Sequence, residues 1–242
     1  MIDGIDMGGG VGVSINGRHR VVTEATTFAM PETGIGLFPD VGGSYFLPRC
    51  PGRIGLYLGL TGARLKAADC LYAGLADAYV PADRLADLAA ALQAAGGEVE
   101  PVLRRFHQDP GPAPLAEHRA AIDRLFAADT VEAIVAALAA DGSDWARAQA
   151  GIIATKSPTS LKLACRQIAL GAAKSFDDCM RMEWRMVNRI IAGHDFYEGT
   201  RAVVIDKDQA PNWRPARLAD VTEAHIAAYF AALADGDLEL ET

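Results

Sequence analysis

Met30-Pro31-Glu32-Thr33-Gly34-Ile35-Gly36-Leu37-Phe38-Pro39-Asp40-Val41-Gly42-Gly43 sets two carboxylates in a segment that carries no other charge. The β-prone stretch Thr26 to Met30 runs straight into Pro31, so Glu32 falls just past the end of a strand. Residues 33–44 are rich in glycine and read as an ordered loop. A carboxylate among apolar neighbours tends to have a raised pKa, which suits proton transfer near neutral pH. A bent loop of this length can bring Glu32 and Asp40 to one cleft. The same residues also suit a plainer arrangement, in which Glu32 caps a helix and Asp40 forms a turn. Paired carboxylates occur in glycoside hydrolysis as well, but the neighbouring sequence has no evident aromatic sugar platform.

Upstream lies a second glycine-rich segment, Gly8-Gly9-Gly10-Val11-Gly12, after a short extended opening. No Lys-Ser/Thr pair follows at Walker spacing, and the last interval of a dinucleotide fingerprint is missed, so both phosphate-loop readings fall. Close backbone approach remains. Glycines at a strand-to-helix turn let N–H groups point at a ligand oxygen with no Cβ in the way. Two such donors on a carbonyl would form an oxyanion hole. A tight turn packed against a neighbouring strand fits the run equally well. Between the two segments, Arg20–Thr23 reads as a short strand.

Downstream the texture turns helical. Ile54 to Leu60 and Lys66 to Tyr72 carry apolar faces, with Gly62 and Gly74 as stops. Leu75 to Val80 alternates like a strand, and Ala82 to Ala95 is a helix ended by Gly96-Gly97. Asp109-Pro110-Gly111-Pro112-Ala113-Pro114 is the expected linker. Three segments result: 1–108, the linker 109–114, and a helical region 115–242. In that last region Thr130, Ser143, Ser157 with Pro158, Ser175 and Thr222 mark helix starts.

Composition narrows the function classes. A formal net charge of −8 and a pI near 5.1 argue against nonspecific nucleic-acid binding, which relies on neutralising phosphates. Cys50, Cys70, Cys165 and Cys179 are scattered without C-x-x-C spacing, so neither a disulfide framework nor a zinc site is expected. No apolar run is long enough to span a membrane. The opening residues do not read as a secretory signal, and a cytoplasmic location is the expectation.

Taken together, the stretches Asp3–Gly12 and Met30–Gly43 resemble the 3-hydroxyisobutyryl-CoA hydrolases of the enoyl-CoA hydratase/isomerase (crotonase) superfamily. The likeness continues through Leu60-Thr61-Gly62, Ser157-Pro158-Thr159-Ser160-Leu161-Lys162 and Gly193-His194-Asp195-Phe196-Tyr197-Glu198-Gly199. It reaches Ile205-Asp206-Lys207-Asp208-Gln209 and Trp213, and so covers nearly the whole chain. The resemblance implies an α/β fold, a partial crotonase-like ββα spiral followed by a helical C-terminal region. It implies hydrolysis of 3-hydroxyisobutyryl-CoA, a step of valine breakdown, with coenzyme A arriving as part of the substrate and no metal or other cofactor. Gly9 would donate an oxyanion N–H and contact substrate. Glu32 would attack the thioester carbonyl or activate water to do so. Asp40 would bind the substrate's hydroxyl end or assist the leaving thiolate, and Lys207 would meet the coenzyme A phosphates. An acyl-CoA is the expected partner, self-association is allowed, and neither nucleic acid nor membrane is implied.

Members of the family begin with further strands and helices, which carry another oxyanion donor. The expectation is therefore a fold shortened at its N-terminus, with an unpaired sheet edge and little hydrolase activity of its own. Two rivals stand beside the hydrolase: hydration or isomerisation of an enoyl-CoA, which needs a second carboxylate ahead of Glu32, and a non-catalytic acyl-CoA-binding remnant.

Overall fold

The computed structural model describes residues 1–234 and 236–240. Asp235, Glu241 and Thr242, which belong to the helical region expected over 115–242, lie outside the described residues. In chain order the strands and helices are β1 (Ile5–Met7), α1 (Gly9–Ser14), β2 (Val21–Val22), β3 (Thr27–Ala29), α2 (Gly43–Phe46), α3 (Ile54–Thr61), α4 (Ala67–Tyr72) and β4 (Ala78–Tyr79). They continue with α5 (Leu85–Ala94), α6 (Val99–Phe106), α7 (Pro114–Leu125), α8 (Val131–Asp141), α9 (Asp144–Ala154) and α10 (Pro158–Gly171). The chain ends with α11 (Phe176–Ile190), α12 (Asp195–Thr200), a π-helical turn over Arg201–Ile205 and α13 (Glu223–Phe230).

Two units divide the chain, one comprising Met1–Ala29 with Arg64–Ala120, the other Met30–Ala63 with Ala121–Thr242. This differs from the division expected at 109–114. The proline-rich segment lies inside the first unit, and its last residue opens α7. Proline suits the first turn of a helix, where its missing N–H has no acceptor to satisfy, so a Pro-rich stretch here begins an element rather than separating two bodies. Both units are also discontinuous in sequence, which composition along the chain does not reveal.

The first unit mixes strands and helices. β1 pairs in parallel with β3, Asp6 opposite Phe28, and β2 pairs in parallel with β4, Val21 opposite Ala78. Parallel pairing requires a crossover, which α1 supplies for β1 and β3. Val21, Ala78, Val80, Leu88, Val102, Leu103 and Phe106 form one core under α5 and α6. β4 is shorter than the alternation of Leu75–Val80 suggests. The amides of Leu75 and Ala76 turn back to the Cys70 carbonyl at 2.8 and 3.2 Å and close the end of α4, with Gly74 at φ 72°. Those groups cannot then join a ladder.

The second unit is helical. Thr130, Ser143, Ser157, Ser175 and Thr222 each accept, through the side-chain oxygen, a backbone N–H of the first turn of α8, α9, α10, α11 and α13. Each such cap is worth about 1 kcal/mol. One face of α11 buries Cys179, Met182, Glu183, Met186 and Ile190. Met182, Met186 and Ile190 meet Phe38, Leu163, Val221 and Ile226 in the core of this unit. The four cysteines are buried and none is in a disulfide, and burial pushes the Cys70 thiol up to about 12 and that of Cys165 to about 11. Among the described residues no helix is long and apolar enough to cross a membrane.

Candidate active site

Glu32 opens a 3-10 turn, Glu32–Ile35, immediately after Pro31. The turn forms because the Pro31 carbonyl accepts Gly34 N–H at 2.9 Å and the Glu32 carbonyl accepts Leu37 N–H at 3.0 Å. Gly36 ends it at φ 74°, a conformation that a side chain would strain, and a Cβ there would lie 2.2 Å from the Asp195 carbonyl oxygen. From the other side, Ser157 N–H donates to the Thr33 carbonyl at 3.1 Å. The backbone of Glu32 is thus fixed by its own turn and by the start of α10.

The side chain of Glu32 is 3% exposed, and its Oε2 has no hydrogen-bond partner among the described residues. Burial raises its pKa to about 8, helped by the charge of Asp40; its own backbone amide and the Lys156 ammonium pull the other way. Asp40 is likewise raised by burial, against a hydrogen bond from its own backbone, and its Oδ1 is buried without a partner. The loop therefore brings Glu32 and Asp40 within electrostatic reach, each with one uncommitted buried oxygen. A helix cap or a simple turn would commit those oxygens to backbone N–H groups. At neutral pH such a pair can hold or release a proton according to what enters beside it.

Two further residues complete the arrangement, and neither was picked out from the sequence. Lys156, at the turn between α9 and α10, is half-buried, and burial lowers its pKa while Glu32 raises it. Its Nζ would lie 3.2 Å from a Cβ on Gly34, so the glycine leaves room for the cation. Glu183, on α11, is 7% exposed and accepts Gly42 N–H at 3.0 Å, Ser44 N–H at 2.9 Å and Ser44 Oγ–H at 2.6 Å. Burial raises its pKa to about 7, opposed by those three donors and assisted by the charge of Asp40. A sequence signal for Glu183 exists: it falls on the stripe of Cys179, Met182 and Met186. Lys156, between Thr155 and Ser157, has none.

Gly9 belongs to the first unit and begins α1 directly after Gly8, whose φ of 54° and ψ of −123° favour glycine. The first-turn amides of a helix have no intrahelical acceptor, and no side chain caps them here. Gly9 is exposed, and a Cβ on it would meet nothing within 4 Å. Lys207 lies in the second unit, exposed, in a left-handed conformation at φ 59°. Its neighbours Asp206 and Asp208 bond instead to Arg201 Nη1 at 2.7 and 2.6 Å. Among the described residues no group of three or more His, Cys, Asp or Glu is placed to hold a metal ion.

A family model described as enoyl-CoA hydratase/isomerase matches residues 1–230. The mitochondrial 3-hydroxyisobutyryl-CoA hydrolase of Xenopus tropicalis is 48% identical, over 99% of this chain and 65% of that protein. The human protein of the same name is 46% identical, over 99% of this chain and 64% of its own length. The chain thus spans about 65% of the length of the curated relatives it matches. Among solved structures, a carnitinyl-CoA dehydratase from Mycobacterium thermoresistibile superposes with a TM-score of 0.89 at 44% identity, over 96% of this chain and 66% of that one. An enoyl-CoA hydratase from Rhodobacter sphaeroides gives 0.89 at 39% identity, over 98% and 68%. The α/β crotonase-like fold expected from the sequence is the fold these structures share with it.

One expectation is overturned. These curated relatives are named as mitochondrial, against the cytoplasmic location read from the opening residues. That reading was a default drawn from the absence of a recognised signal, and the first residues of a chain that spans part of its relatives' length carry no information on targeting.

Proposed function

This chain belongs to the enoyl-CoA hydratase/isomerase family, and from that premise we propose that it serves hydrolysis of an acyl-CoA thioester, with 3-hydroxyisobutyryl-CoA as substrate. The observation that carries the reading is the pair of buried Glu32 and half-buried Asp40, each with an uncommitted buried carboxyl oxygen and a raised pKa. The names of the curated relatives support the substrate, and with it a place in valine breakdown.

In the proposed reaction the thioester and water give 3-hydroxyisobutyrate, a proton and coenzyme A thiol. Glu32 acts as its carboxylate, attacking the carbonyl carbon or taking a proton from the attacking water; both routes need the ionised form. The carbonyl oxygen gains negative charge and the C–S bond then breaks. Asp40, whose pKa is raised by burial, delivers a proton to the departing thiolate or holds the substrate hydroxyl. The Lys156 ammonium favours the charged form of Glu32. Gly9 as an oxyanion donor, and Lys207 as a contact for the coenzyme A phosphates, rest on the family resemblance. Gly9's open face and Lys207's exposure are compatible with these roles. The chemistry draws on no metal or cofactor beyond the coenzyme A of the substrate.

Hydration of an enoyl-CoA is the rival, favoured by the descriptions of the two solved structures. Against it, α1 has the sequence Gly-Gly-Val-Gly-Val-Ser and offers no second carboxylate ahead of Glu32. Thiol release from 3-hydroxyisobutyryl-CoA, measured beside loss of the crotonyl-CoA double bond, separates the two. Glu32→Gln is expected to reduce thiol release by about 10² to 10⁴. Turnover of crotonyl-CoA alone, or thiol release untouched by that substitution, ends the hydrolase reading.

A further inference from the structure

The segment that carries Asp40 has an unusual backbone. Val41 sits at φ 50° and Gly42 at φ 95°, two consecutive left-handed residues. A β-branched side chain rarely adopts that conformation, and such residues persist where the surroundings over-determine them. Helix α2 starts at this point, and its N-cap residue, Gly42, has no side chain to cap it. The buried carboxylate of Glu183 takes that place from α11, 141 residues along the chain from Gly42. It accepts Gly42 N–H on Oε2, and both Ser44 N–H and Ser44 Oγ–H on Oε1. Bonds from backbone N–H to a charged acceptor at a helix start are among the stronger hydrogen bonds.

The remaining contacts hold the same segment from other directions. Gly43 N–H closes onto the Asp40 carbonyl at 2.8 Å, and Gln167 Nε2 donates to the Pro39 carbonyl. The Ser44 carbonyl oxygen would lie 1.8 Å from a Cβ on Gly171, so α10 approaches α2 where a side chain cannot stand. Glu183 is the side chain that engages the amides of Gly42 and Ser44.

We infer that Glu183 is a positioning residue: its carboxylate clamps Gly42 and Ser44, holds Val41 in its left-handed conformation and thereby aims the Asp40 carboxyl. The clamp stands on the hydrogen bonds; its service to catalysis rests on the proposed thioester hydrolysis. Glu183 itself touches no reacting atom. Its contribution is to the orientation of Asp40, and misplacement of a reacting group by about 1 Å costs on the order of 10²-fold in rate.

Glu183→Gln tests this in the full chain. The amide keeps one acceptor oxygen and turns an NH₂ group toward N–H donors, so one amide loses its acceptor. Hydrogen exchange at Gly42 and Ser44 is expected to quicken about tenfold or more, since local protection comes from these bonds. Turnover of 3-hydroxyisobutyryl-CoA is expected to fall about 10- to 100-fold in kcat with little change in KM. Adding Val41→Gly, which removes the conformational penalty, should restore part of the lost kcat. Ser44→Ala withdraws a single donor and gives a smaller effect in the same direction, and it serves if Glu183→Gln does not fold. Unchanged exchange at Gly42 and Ser44 in a folded Glu183→Gln protein overturns the clamp. Faster exchange with undiminished kcat overturns the positioning of Asp40. If the unsubstituted protein cleaves no thioester, the reaction proposed above falls, while the exchange measurement still decides the clamp.

Discussion

Replacing Glu32 by Gln should change how the stability of this protein depends on pH. In the folded state burial lifts the carboxyl from 4.5 to about 8. Between those limits the folded state keeps a proton that the unfolded chain has released, so the folded state binds more protons and stability falls as pH rises. The contribution is present in full below the unfolded value of 4.5 and is lost through the folded value of about 8. Linkage then gives a loss of about 2–3 kcal/mol between pH 5 and pH 7 from this one group. For a chain of this size that corresponds to roughly 5–10 °C in Tm. Asp40 and Glu183 are also raised by burial and slope the same way, so the informative quantity is the difference between the Gln variant and the unsubstituted protein. Gln leaves a buried amide in place of a buried carboxyl, which adds an offset but no titration. Thermal or urea unfolding at several pH values from 5 to 7 should give curves that diverge by about 2–3 kcal/mol. Curves parallel within about 0.5 kcal/mol would refute the reasoning, because Glu32 would then ionise in the fold as it does in water.

Three further outcomes are expected. Lys156→Met removes a cation that favours ionised Glu32, so the rising limb of the kcat/KM–pH profile, which follows deprotonation of Glu32, should move to higher pH; an unmoved or acid-shifted limb contradicts it. Gly171→Ala would set a Cβ 1.8 Å from the Ser44 carbonyl oxygen, and overpacking of this kind should cost about 3 kcal/mol in urea unfolding; a loss below about 0.5 kcal/mol would mean that α10 and α2 separate freely. Asp195→Ala deprives Ser157 Oγ–H and Arg214 N–H of an acceptor held at 2.7 and 2.8 Å. Unfolding should then become easier by about 2–3 kcal/mol, since buried donors left without partners are costly.

What the sequence disclosed followed the range of the interactions involved. Helix starts in the second unit were legible because a Ser or Thr cap acts within its own first turn, and all five expected residues cap there. Glu32 and Asp40 stood out because the intervening residues are uncharged; Glu32 is buried and Asp40 half-buried, and burial raises the pKa of both. Helix α6 was not anticipated, the residues between Gly97 and Asp109 having been given no element, and α7 begins on Pro114, one residue ahead of the helical region expected from 115. Pro101 and Pro114 both occupy early helical positions where proline is tolerated. Glu183 is distant in sequence from the loop it holds, and along α11 it looks like one more charge among Asp177, Asp178 and Arg185. Only its register with Cys179, Met182 and Met186 sets it apart, and register becomes meaningful once the buried face is known. The division into two discontinuous units likewise depends on contacts between remote segments, which no local composition encodes.

Arg201 gathers Glu198, Asp206 and Asp208 around one guanidinium. Flanked by aspartates in sequence, Lys207 would otherwise have its charge cancelled locally, on a protein whose formal net charge is already −8. With both neighbours bonded to the guanidinium, the ammonium stands beside them as an exposed positive charge on a chain that is acidic overall. Attraction of that kind acts across water and is screened over about 8 Å at physiological ionic strength. A polyanion held there would loosen its grip as sodium chloride is added, and it would do so sooner than any part of the same molecule lodged away from solvent.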